Sequence, residues 1–146
     1  MRPSENIIAD INEFGPQDDN WLRLDALLNE LWETGEQEKF TKDLLRVFER
    51  FPEEDGNGVL WSIIHGLETF MSYEKELVDS LRRQPSEMGF IMLKRVKNSG
   101  STTMGGVEIN TLIADLRLSK QLTHTLKERI EKILYINCNW GEDCKE

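Results

Sequence analysis

The chain is poor in the residues that build most catalytic and metal centres. Among 146 residues there are two cysteines, two histidines and four prolines. Cys138 and Cys144 both lie in the polar C-terminal stretch. A Cys-x5-Cys pair with no nearby histidine falls short of a zinc site. Free thiols in a reducing cytoplasm are expected, and a disulfide between them would close only a short loop. His65 and His124 alone cannot make a multi-histidine metal site. There is no Gly-rich phosphate loop, no nucleophile elbow and no His-Glu-x-x-His. Asp55-Gly-Asn-Gly58 has the start of a calcium loop but lacks its twelve-residue ligand ladder and closing Glu. Long apolar runs are missing too. Val59–Trp61 and Phe90–Leu93 are far too short to span a bilayer. The first residues have no apolar core and no small-residue cleavage site, so no secretion signal is expected. These absences predict a cytoplasmic protein with no cofactor, no metal and no enzymatic activity.

What is present is charge, unevenly placed. The totals are 27 acidic and 18 basic residues, a net of −9. Residues 1–56 hold fifteen Asp and Glu against six Lys and Arg, whereas residues 57–146 hold twelve of each. All of the net charge therefore sits in the first 56 residues. Such an asymmetric field attracts and orients a basic partner and repels nucleic acid and anionic lipid. A bland alternative is that acidic helices merely face solvent.

At this length a single domain with a real core is expected. Apolar residues recur at helical spacing almost throughout. Trp21, Leu24, Leu28, Leu31 and Trp32 form one stripe, with Asp19 or Asn20 to cap it and Gly35 to end it. Phe40, Leu44, Val47, Phe48 and Phe51 form the next, stopped by Pro52. Residues 52–58 read as a loop. Leu60, Ile63, Ile64, Leu67 and Met71 carry a third stripe, and a further helix covers Tyr73–Arg83. Ser86 caps a helix that is apolar on most sides, from Met88 to Val96, which predicts the central and most buried position. Residues 98–106 read as a flexible loop. Two last helices follow, through Ile109–Leu116 and Leu122–Ile133, with Ser119 or Thr123 near the start of the second. The prediction is an all-α domain over 1–146: an acidic helical half (1–56), a neutral helical half (57–136) and a polar tail (137–146). Seven or eight short helices joined pair after pair suggest a HEAT-like αα array.

Few side chains invite a chemical hypothesis. On a helix, Trp61, His65, Glu68 and Ser72 share a stripe that lies away from the Leu60–Leu67 core face. A hydrogen-bonded His65–Glu68 pair beside an aromatic anchor is one reading, and a second packing face is the other. Trp21 and Trp32 read as structural. Trp61, directly after the acidic loop, is the best interface anchor. Trp140, in the tail, either covers the end of the array or stays exposed.

The segment Phe51-Pro-Glu-Glu-Asp-Gly-Asn-Gly-Val-Leu-Trp-Ser-Ile-Ile-His-Gly-Leu-Glu68 resembles bacterial immunity proteins of contact-dependent inhibition and related polymorphic toxin systems. Tyr73, Leu77, Ser80, Leu81, Pro85-Ser86 and Leu93-Lys-Arg-Val-Lys-Asn98 continue the pattern, which covers roughly residues 48–113. The resemblance implies a small, helical, cytoplasmic, non-enzymatic protein that blocks one cognate toxin. It carries no site residues with it, because immunity surfaces differ between relatives. The charge reading fits this class. Toxins that cut nucleic acid need basic surfaces, and an inhibitor can present carboxylates where phosphates would lie. The expected partner is thus a basic toxin domain, a nuclease, bound by a monomer without nucleic acid or membrane. The expected surface comprises Glu53, Glu54 and Asp55 with Trp61 beside them, His65 and Glu68 on the same helix, and Asp18, Asp19 and Asp25 from the N-terminal half. A helical adaptor or regulatory module with an acidic surface is the competing function.

Overall fold

A computed structural model describes residues 2–70 and 72–135. Met71, Cys138, Trp140 and Cys144 lie outside the described residues. The fold is mainly helical: α1 (Ser4–Glu13), α2 (Leu22–Thr34), α3 (Thr41–Arg50), α4 (Leu60–Leu67), α5 (Tyr73–Arg83), α6 (Glu87–Asn98), α7 (Ile109–Arg117) and α8 (His124–Tyr135). Two 3-10 turns, Gln37–Phe40 and Gly56–Gly58, and one two-stranded hairpin, β1 (Thr103–Met104) with β2 (Val107–Glu108), complete it. No helix among the described residues is long and apolar enough to cross a membrane.

The sequence reading placed no helix before Trp21. There α1 forms because Ile7, Ile8 and Ile11 repeat at helical spacing and all become buried. Other boundaries follow the predicted signals. Gly35 closes α2. The Ser86 hydroxyl accepts the Gly89 amide at 3.0 Å and starts α6. Thr123 does the same for α8, accepting the Leu126 amide at 3.1 Å.

Helix α6 is the most buried element, as its all-round apolar sequence requires. Met88, Gly89, Phe90, Ile91, Met92, Leu93, Lys94 and Val96 are all buried. It packs against α3, α4, α5, α8 and β1. One contiguous core runs from Ile7 to Ile133. Pairing of sequence neighbours, the HEAT-like expectation, is seen between α1 and α2. Beyond them, however, the heaviest contacts skip an element: α3 lies on α5, and α6 on α8.

Residues 98–106, read as a flexible loop, instead contain the hairpin. Thr103 pairs with Glu108 and Met104 with Val107, leaving Gly105 and Gly106 as a two-residue turn, both at positive φ. That is the geometry a tight hairpin favours, and Gly-Gly supplies it without strain. Met104 is fully buried, and the hairpin presses on α5, where a Cβ on Gly105 would come within 2.9 Å of the Lys75 Cα.

Candidate functional site

The acidic residues of the N-terminal half come together through an aromatic platform. Trp21 is buried between Phe14 and Phe51, with ring centroids 5.6 and 5.1 Å away. A turn from Gln17 to Asn20 precedes it, closed by the Asn20 amide donating to the Gln17 carbonyl at 2.9 Å. The loop 52–58 lies on the same platform: a Cβ on Gly56 would stand 3.0 Å from the Trp21 ring, so only glycine allows this approach. The side-chain amide of Asn57 then donates to the Asp19 carbonyl at 3.1 Å and ties the two turns together. Residues 38 apart in sequence thereby form one acidic edge.

Within that edge the carboxylates are held differently. Asp18 and Asp19 both adopt positive φ, 51° and 60°, a conformation that aspartate tolerates better than most residues but that still stores strain. Asp18 projects into solvent. Asp19 accepts the Trp21 indole N–H at 3.2 Å. Asp55 accepts the Asn57 amide at 3.0 Å and remains exposed, as does Glu54. Asp25 lies in the first turn of α2, where a negative charge suits the positive end of the helix dipole, and is partly buried.

Glu53 departs from the expectation of a free loop charge. Its carboxylate accepts the Thr123 hydroxyl at 3.0 Å, and its backbone carbonyl accepts Arg129 at 2.5 Å. Arg129 also pairs with Glu87 at 2.8 Å. Glu53 thus fastens the loop to α8, a role invisible locally because its partners lie 70 and 76 residues away.

Trp61, His65 and Glu68 form a second cluster. The anticipated His65–Glu68 hydrogen bond is replaced by an ion pair from another helix. Arg95 of α6 grips Glu68 with two bonds, of 2.8 and 2.9 Å. Glu68 caps α4 in right-handed helical conformation, and its carboxylate takes the two charge-assisted bonds that the Arg95 guanidinium offers rather than one to the exposed imidazole. His65 is exposed and its ring lies 5.8 Å from that of Trp61. The Arg95 guanidinium stands 6.0 Å from the Trp61 ring centroid, at the limit of a cation–π contact. Trp61 is half-buried, packs against the core and lies beside Arg95 of α6. Ser72, the last member of the expected stripe, donates to Glu38 at 2.7 Å.

Sequence reasoning also missed Arg50. Its guanidinium reaches from α3 to the carbonyls of Ile11 and Phe14 at the end of α1, and lies 5.0 Å from the Phe51 ring centroid. Burial pulls its pKa down from the usual arginine value. An arginine directly before the Phe51 aromatic was the available signal. Among the described residues no group of three His, Cys, Asp or Glu side chains is placed to hold a metal ion. Comparison with family models, curated proteins and solved structures finds no significant match.

Proposed function

We propose that this chain is a protein inhibitor of the immunity type, which binds and occludes a basic toxin domain, a nuclease, in the cytoplasm of the cell that makes both. One observation carries the reading. The 17–20 and 53–57 turns are joined on a single buried tryptophan, so that Asp18, Glu54 and Asp55 share one edge and point into solvent. A rigid row of carboxylates is what a phosphate-binding surface recognises. It also raises the association rate of an oppositely charged partner. The positive φ of both Asp18 and Asp19 supports the reading as well, since strained turns are retained where a side chain must be aimed. The partial resemblance over residues 48–113 supplies the class of partner.

The test is co-expression with the C-terminal domain of the protein encoded immediately upstream, scored as rescue of growth, followed by binding kinetics at two salt concentrations. The Asp18→Asn/Glu54→Lys variant alters only exposed side chains and keeps at position 18 a residue that tolerates positive φ, so it should stay folded. It should associate about tenfold more slowly at low salt, with a flatter salt dependence. Unchanged rate and salt slope in the folded variant would place the contact elsewhere. Trp61→Ala should act mainly on dissociation if that residue is also covered.

A further inference from the structure

Asn57-Gly58 is the single Asn-Gly pair in the chain. This dipeptide is especially prone to lose its side-chain amide without an enzyme, because glycine has no Cβ to hinder the ring that forms. The glycine main-chain nitrogen gives up its proton and attacks the asparagine Cγ, and ammonia leaves. Water then opens the cyclic imide at either of its two C–N bonds. One opening gives aspartate with the original main chain, and the other gives isoaspartate, whose main chain is longer by a methylene. The net change is one water taken up and one ammonia released, and no other reactant is needed.

The native turn withholds each group that this reaction uses. Asn57 stands at φ 54° and ψ 36°. At that ψ the Gly58 nitrogen lies nearly opposite Cβ across the Cα–C bond, whereas ring closure needs the two on the same side. The Gly58 N–H donates to the Asp55 carbonyl at 3.1 Å, so the nucleophile keeps its proton. The side-chain amide, which must leave, donates to the Asp19 carbonyl at 3.1 Å. The Asn57 main-chain N–H donates to the Asp55 carboxylate at 3.0 Å and fixes the turn. Asn57 and Gly58 are nevertheless exposed, so water reaches the pair as soon as the turn opens. We propose that Asn57 is a deamidation site latched by the native turn, converted to a carboxylate only through local opening of the joint between the 17–20 and 53–57 turns. The product cannot remake the joint. A carboxylate at position 57 has no proton to donate to the Asp19 carbonyl, and it adds a negative charge beside Asp19 and Asp55. Isoaspartate also lengthens the main chain inside the turn. Deamidation is therefore a one-way release of the two acidic turns from each other.

The test keeps the full-length protein in mildly alkaline buffer, with and without denaturing urea, and follows the acid fraction at residue 57 over time by peptide mapping and mass spectrometry. The unfolded chain sets the intrinsic rate. The native protein should react at least about tenfold more slowly, the equivalent of about 1.4 kcal/mol. Asp55→Ala removes the acceptor of the Asn57 main-chain N–H. It should bring the native rate about threefold closer to that variant's own unfolded rate, as the loss of one hydrogen bond predicts, while circular dichroism reports an intact fold. Equal rates in the native and unfolded wild type would overturn the latch, as would a native-to-unfolded ratio that Asp55→Ala leaves unchanged. Asn57→Asp reproduces one product directly. It should speed amide exchange at Asn20, Gly58 and Leu60, whose N–H groups bond within the two turns; unchanged protection there would overturn the release.

Discussion

Gly66 and Trp32 set the distance between α4, which carries Trp61, and α2, which follows the 17–20 turn. A Cβ on Gly66 would meet the far rim of the Trp32 indole at 2.6 and 2.8 Å. Two opposite effects then compete in Gly66→Ala. Replacing a helical glycine by alanine favours folding by about 0.5–1 kcal/mol. Contacts about 1 Å inside the optimum of roughly 3.5–4 Å force the indole or the helix to move, and such overpacking costs about 1–3 kcal/mol. The clash should win, for a net loss of about 1 kcal/mol. At roughly 2.1 cal/mol/K of unfolding entropy per residue, that lowers Tm by about 3 °C. The decisive measurement is a double-mutant cycle with Trp32→Leu, read by thermal and urea unfolding. With the indole gone, the same Gly66→Ala change should become stabilising, because only the helical preference remains. Equal stabilisation in both backgrounds would refute the close packing of α4 on α2.

Leu93→Ala, in the centre of α6, should cost about 2–5 kcal/mol, or roughly 7–16 °C of Tm, because Leu93 is fully buried; a shift no larger than that of Leu118→Ala, at an 83% exposed position, would remove α6 from the centre. Burial, with a smaller contribution from the Glu68 and Glu74 carboxylates, pushes the Tyr73 hydroxyl up to about 12. The folded state therefore holds this proton more tightly than the unfolded chain does. The resulting stability is fully present below pH of about 10 and is lost as pH rises from there through 12. Phenolate absorbance of a Tyr135→Phe variant should rise only near pH 12 or on unfolding; ionisation at about 10 in the folded protein would refute the burial.

Much of the fold was legible because helical periodicity and caps are local. The stripes from Trp21 to Ile133, the Ser86 and Thr123 caps and the central place of α6 all follow from residues within a turn or two of each other. So does the concentration of negative charge before residue 57. Two local signals went unread. The Ile7, Ile8 and Ile11 spacing marks α1, and Gly105-Gly106 between Met104 and Val107 marks a hairpin.

What only the tertiary structure decided is which charges remain free. Glu53, Glu54 and Asp55 are equivalent in a sequence, yet the Glu53 carboxylate accepts the Thr123 hydroxyl and its backbone carbonyl accepts Arg129, while the other two residues are left exposed. Glu68 goes to Arg95 rather than His65, because a guanidinium brought in by α6 offers it two charge-assisted bonds. Asp18 and Asp19 join the 53–57 loop through Trp21 and Asn57, a bond across 38 residues. Composition and spacing determine how many carboxylates a chain has and which elements carry them. Whether each one meets a cation depends on long side chains reaching from helices that lie far away in sequence, and only the packed core fixes where those helices stand.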